Sequence, residues 1–377
     1  MKFALLVFTI LVISSGMASG RKTESQWSVE DRWIQYVANP KPAQVEHPSE
    51  RKNDLTIGAW QLYRSIFMAD GGRIVDRENG AISHSEGQGY GMLIAATLGD
   101  REAFDRLWDW TERELLVRDD SLAAWKWDPS ADPHVSDMNN ATDGDLLIAW
   151  ALLRAYKKWN VRDYLREAEA IVDDIVSKAT IVTPYGSVLL PGTKGFSGKD
   201  RPDGPVVNLS YWVFPAIEEL AAQMPVLAKS NLGESGMRLL RDVIVSGKTL
   251  PSEWTALGGD DPVSADGFEP VFGYNALRIP LYVAWSQKPD PQLLEALATA
   301  WSGGGEAGLD IIDVKTRTAV EPIRGRGYGA IHELTLCSLG HHTNLTSTET
   351  FEPSTYYSST LQLLTLIAFS ERYSQCP

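Results

Sequence analysis

Two carboxylates sit in parallel settings. Glu86 lies in SHSEGQGYGMLIAA, residues 83 to 96, between Ser85 and Gly87, with Gly89 and Gly91 close behind and an apolar run following at once. Asp143 lies in Ala141-Thr142-Asp143-Gly144-Asp145, again followed by glycine and again opening an apolar run. Ser85, three residues before Gln88, reads as the N-cap of a capping box, and Thr142, three before Asp145, as a second. Glu86 and Asp143 then occupy equivalent places in two first helical turns. Acids in a first turn suit the helix dipole and contribute a few tenths of a kcal/mol, up to about 1. That reading suffices for Asp145. For Glu86 it leaves the glycines unexplained, since each costs roughly 1 kcal/mol against alanine inside a helix. Such losses call for close approach, either of another helix or of a ligand.

Aromatic residues shift the balance towards a ligand. The chain has 13 Trp and 13 Tyr, many in loops beside Gly, Asp and Pro: Trp125 and Trp127 in AAWKWDPSADP, Tyr211 and Trp212 in NLSYWVFP, Trp254 in SEWTALGGDD, Tyr328 in GRGYGA. Ordinary packing accounts for any one of them. As a set, beside two carboxylates, they point to a long carbohydrate cleft, where ring faces take sugar C–H surfaces and polar groups take hydroxyls.

The elements that must hold these loops read as helices. Apolar residues recur at three and four, as in Leu147, Trp150, Ala151, Ala155 and Trp159. The pattern predicts helices over 55–68, 88–98, 101–116, 145–158, 161–177, 211–223, 233–246, 274–286, 291–301 and 356–373, with a lead-in helix over 27–37. Residues 181–190 are the best strand candidate, broken by Pro184 and Gly186. No composition shift marks a domain boundary, and helix and loop alternate about every thirty residues. The expectation is one all-α domain, a barrel of helical hairpins, rather than βαβ units.

Residues 1–20, MKFALLVFTILVISSGMASG, carry a short basic start, an apolar stretch and a small-residue cleavage site, so they read as a secretory signal peptide. The apolar run is short for a membrane span. The mature chain, 21–377, is then a single domain without a membrane anchor. Export permits a disulfide between Cys337 and Cys376, although both could stay free. Six histidines form no HExxH pattern and there is no CxxC, so no metal or cofactor is expected. A net charge of −14 argues against nucleic acid or an anionic membrane as partner and tolerates a neutral polymer.

SEGQGYGM, with WKWDP, ATDGD, NLSYW and GYNALRIPL following in order, closely resembles the motifs of glycoside hydrolase family 8 over essentially the whole mature chain. Within it, the chain looks most like periplasmic endoglucanases associated with bacterial cellulose synthesis. The resemblance implies an (α/α)6 barrel and cofactor-free, inverting, endo-acting hydrolysis of a β-1,4-glucan. It also implies a periplasmic or secreted location and an association with a cellulose synthase complex. Carried over residue by residue, Glu86 is the general acid, and Asp143 holds the sugar at the cleavage point. Trp127, Tyr211, Trp212 and Arg278 bind substrate. One position departs. Family members commonly have an aspartate base where this chain has Asn275, which can orient a water but take no proton at neutral pH. The candidate bases are Asp143 itself, then Asp260, Asp261, Asp266 and Glu269. Glu86 has to hold a proton, and burial beside Asp143 is expected to favour this over the pull of the helix terminus. Two other readings stay open. Asn275 would suit a catalytically weak or inactive glucan-binding protein of the same fold, and the acidic surface would suit a chitosanase.

Overall fold

The three-and-four spacing becomes helix nearly everywhere it was expected. In the computed structural model, which describes residues 48–247, 249–301, 309–341 and 346–376, the helices are α1 (Pro48–Phe67), α2 (Ser85–Leu98), α3 (Arg101–Glu114), α4 (Thr142–Trp159), α5 (Arg162–Lys178), α6 (Phe214–Ala221), α7 (Pro225–Ser230), α8 (Leu232–Arg241), α9 (Arg278–Trp285), α10 (Pro291–Trp301), α11 (Arg326–Ser338) and α12 (Tyr356–Arg372). The signal peptide and the lead-in helix lie outside the described residues.

Contacts between α2 and α4, α4 and α6, α6 and α9, α9 and α11, α11 and α12, and α12 and α2 close a ring of six inner helices. Outside it, α3 packs on α2, α5 on α4, α8 on α6, α10 on α9 and α1 on α12. This is the expected (α/α)6 barrel, and Pro48–Pro377 form one compact unit. Sequence character follows the layers. Outer helices are amphipathic: α5 buries Tyr164, Ala168, Ile171, Val172 and Ile175 and turns its charges outward. Inner helices are buried all round, as α9 is from Arg278 to Trp285. Each buried large apolar side chain there contributes about 1.5–3 kcal/mol.

The differences from expectation have local causes. Residues 211–223 do not form one helix. A 3-10 turn covers Leu209–Tyr211, and α6 begins only at Phe214, with Pro215 in its first turn. Residues 274–277 form a turn, so α9 starts at Arg278. The glycines of GRGYGA hide α11, where Gly327 lies flat on the backbone of Ser358. Residues 181–190 fall in a hairpin of two strands, Thr180–Thr183 and Gly186–Leu189, that turns at Pro184-Tyr185. Short strands line the loop end of the barrel. Ser83–His84 pairs with Lys126–Trp127, and Thr255–Ala256 lies between Val206–Val207 and Val263–Ser264. Cys337 and Cys376 are disulfide-bonded, with Cα atoms 6.3 Å apart.

Candidate active site

The inner helices bring their N-terminal ends together, and the site is built there. From Ser85 to Ala96 every residue of α2 is buried except Glu86. The helix therefore commits its whole circumference to the core and leaves one carboxylate for the cleft. The cap differs from expectation. His84 is the N-cap, its Nδ1 accepting from Gly87 N–H at 3.0 Å, and Ser85 is already helical. Ser85 is pinned instead by its backbone N–H, which donates to Trp125 O at 3.0 Å. Thr142 is likewise no cap. It is the first residue of α4, and its hydroxyl donates to Leu190 O at 2.6 Å.

The glycines answer to neighbouring protein. A Cβ on Gly89 would lie 2.6 Å from Leu147 Cβ, and one on Gly144 would lie 2.8 Å from Glu86 N and closer still to Ser85 Oγ. Helices α2 and α4 thus cross with almost no side chain between them. That crossing sets Glu86 beside Asp143.

Arg278, the first residue of α9, organises both. Its Nη1 donates to Glu86 Oε1, to Asp143 Oδ2 at 2.9 Å and to Tyr90 OH at 3.2 Å. Its Nη2 donates to Ser210 Oγ at 2.9 Å and Asn275 Oδ1 at 3.0 Å, and Nε reaches Asn275 O at 3.3 Å. All its nitrogens are engaged by protein, and its side chain is 1% exposed. The expected substrate-binding role is therefore corrected: Arg278 holds the site together from beneath. Tyr90, one turn after Glu86, donates to Glu86 Oε1 at 3.1 Å and meets Tyr282 OH at 2.8 Å. Gly144 N–H donates to Asp143 Oδ1 at 2.9 Å. Burial pushes the Asp143 carboxyl up, to about 7, with the Gly144 bond opposing. The guanidinium opposes it too and favours the carboxylate form.

Asp145 points elsewhere. It accepts from Ala123 N–H and Asn140 Nδ2, each at 2.8 Å, and so braces the 123–140 loop. Burial pushes it up to about 7 as well.

The aromatic candidates divide. Tyr211 is half-buried, with the Arg278 guanidinium 5.7 Å from its ring centroid, and so belongs to the site. Trp212 is core: it is 1% exposed, donates to Leu232 O at 3.0 Å and lies on Gly236. Its expected contact with substrate is excluded by that burial. Trp127 is half-exposed next to the strand bearing His84, but Arg73 lies 4.7 Å and His134 4.4 Å from its ring. Trp254 stacks between Phe196 and Phe268. Tyr274, 43% exposed beside Tyr328, stands at the rim.

The loop acids offered as bases, Asp260, Asp261, Asp266 and Glu269, are all exposed. The acid that does reach residue 275 is Glu253. Its Oε1 accepts from Asn275 N–H at 2.8 Å and its Oε2 from Asn275 Nδ2 at 3.1 Å. Glu253 precedes Trp254 in SEWTALGGDD, and nothing in its spacing marks it. Tyr90 was findable, at i+4 from Glu86 on one helix face.

The family model of glycosyl hydrolases family 8 matches residues 49–371. The chain belongs to that family and is a glycoside hydrolase. An endoglucanase of Cellulomonas uda is 38% identical over 285 residues, covering 74% of this chain and 77% of that protein. A probable endoglucanase of Novacetimonas hansenii is 36% identical over 322 residues, 84% of this chain and 92% of the other. The solved endo-β-1,4-glucanase of Acetobacter xylinum superposes with a TM-score of 0.75 at 34% identity, covering 85% of this chain and 99% of that one.

Proposed function

We propose that the endo-β-1,4-glucanase activity of this family 8 chain is inverting and uses Glu86 as general acid. The observation that carries the assignment is the setting of Glu86, the one residue of Ser85–Ala96 left unburied, facing Asp143 across a shared guanidinium. Two carboxylates meet one fixed positive charge there. The cluster is neutral when it retains one proton, and a poorly solvated site favours that state. In the hydrolysis Glu86 passes this proton to the leaving oxygen as the glycosidic bond breaks. Asp143, within reach of Arg278, holds a sugar hydroxyl and faces the positive charge that develops on the ring. Tyr211 and Tyr274 flank the bound chain.

The signal-peptide reading of residues 1–20 supports a periplasmic or secreted location. No helix among the described residues is long and apolar enough to cross a membrane. Glucan trimming beside a cellulose synthase complex rests on the motif resemblance alone, and co-purification with such a complex tests it. Relatives named as endoglucanases favour glucan over chitosan and favour activity over mere binding.

Early products from cellohexaose, read by anomeric NMR, test the mechanism. α-Anomers are expected from the wild type, with a loss of about 10²–10⁴-fold in kcat for Glu86→Gln. Initial β-anomers would sink the inverting scheme, and a Glu86→Gln protein of near-normal rate would sink the acid assignment.

A further inference from the structure

Inversion needs a base on the face of the sugar opposite the acid, and residue 275 holds none. Asp143 shares Nη1 of Arg278 with Glu86, so it lies at the acid's end of the guanidinium. The other end, Nη2, holds Asn275 Oδ1. That bond fixes the amide with its NH2 group turned away from Arg278, and the group it turns towards is Glu253. Glu253 is half-buried, and both its oxygens are tied to Asn275, yet each retains a lone pair. A Cβ at Gly273 would come within 2.9 Å of Glu253 Oε1, so the chain keeps a glycine where any side chain would press on this carboxylate.

We propose that Glu253 is the catalytic base of this chain, taking over from the asparagine it orients. This rests on the inverting reading above. Asn275 anchors the attacking water and Glu253 removes its proton. The water oxygen bonds to C1 as the C1–O bond to the leaving sugar breaks. One water proton goes to Glu253, and the Glu86 proton goes to the leaving oxygen. Exchange with solvent then returns the proton from Glu253 and restores the one on Glu86. No further reactant is needed.

The test compares wild type, Glu253→Gln, Glu253→Ala, and the exchange Glu253→Gln/Asn275→Asp on cellohexaose, with melting temperatures alongside. The exchange keeps the pair's charge and hydrogen bonds and moves the carboxylate to residue 275. The single Glu253→Gln change is expected to lower kcat by about 10²–10⁴-fold, and the exchange is expected to recover most of it. Azide added to Glu253→Ala is expected to yield an α-glycosyl azide, because a small anionic nucleophile needs no base. A residue that merely positioned Asn275 would not give that product. A folded Glu253→Gln protein with more than a tenth of wild-type kcat overturns the proposal, as does Glu253→Ala that forms no azide adduct. If the single variants fail to fold, an exchange variant that folds but turns over at less than a hundredth of wild type overturns it. Wild type inert on cellohexaose would instead be the failure of the endoglucanase reading.

Discussion

The two ends of the Arg278 guanidinium are built by different means. At the Nη1 end, Glu86, Tyr90 and Asp143 project from the first turns of α2 and α4, two buried helices that touch through Gly89 and Gly144. At the Nη2 end, Ser210, Asn275 and Glu253 come from a 3-10 turn, the turn before α9 and the loop after α8. The helical end has its geometry set by close packing, so it tolerates little change. The loop end is held by hydrogen bonds among side chains, so a carboxylate can exchange places with an amide while the scaffold stays intact. On the proposed assignment, the acid stands at the rigid end and the base at the adaptable one.

Removing charge at the helical end gives the largest expected effect. In Asp143→Asn the guanidinium faces one carboxylate, and the cluster is neutral with no proton at all. The site loses the carboxylate that faces the developing positive charge, and kcat is expected to fall by about 10²–10³-fold. A folded variant that keeps more than a tenth of wild-type kcat would show that Asp143 is dispensable to the reaction.

Steric change at the same end comes next. Gly144→Ala places a methyl against Ser85 Oγ and Glu86 N. The first turn of α2 has to move, and an overpacked core costs about 1–3 kcal/mol. A displacement of the acid by about 1 Å can cost on the order of 10² in rate. A variant that loses stability but keeps full kcat would mean that Glu86 is not held by this crossing.

Asp145 offers a gentler contrast, since it shares the turn of Asp143 but braces a loop. Burial raises its pKa from 3.8 to about 7. Between about pH 4 and 7 the folded chain retains a proton that the unfolded chain gives up. Its contribution therefore falls as pH rises through that window and is fully present below it. Asp145→Asn is expected to remove this slope, flattening the stability profile by about 1–3 kcal/mol across the window relative to wild type. Parallel profiles in chemical denaturation at pH 5 and pH 7 would refute it.

Legibility in the sequence follows the same division. The helical end was readable because regular structure has a period: the spacing placed α2 and α4, and a glycine-bound acid in a first turn drew attention to Glu86. Yet neither expected cap is the observed one: His84 caps α2, and α4 starts after Ala141 with no side-chain cap. A side-chain cap and a first helical position differ only in backbone angles, and His84 can cap as Ser85 could. A tryptophan in a polar loop motif looks the same whether it faces a cleft or, as Trp212 does, Gly236. Glu253 carries no sequence signal, because it reaches Asn275 across 22 residues of chain by a loop path with no period. A motif names Arg278 without saying what its five N–H groups meet.

The smallest expected effect lies at the rim of the loop end, where the comparison is least constrained by the core. Tyr274 is exposed, its carbonyl accepts from Tyr357 OH at 2.8 Å, and its ring lies 5.8 Å from that of Tyr328. The backbone contact fixes where the ring stands without covering it. Tyr274→Ala removes one sugar-facing surface next to Asn275 and leaves that backbone contact available. The expected result is a KM several-fold higher, in line with the roughly 0.5–1.5 kcal/mol of an aromatic contact, with kcat near the wild-type value. If kcat falls and KM does not, Tyr274 positions the Asn275–Glu253 pair rather than the glucan, and the loop end is stiffer than its hydrogen-bonded construction implies.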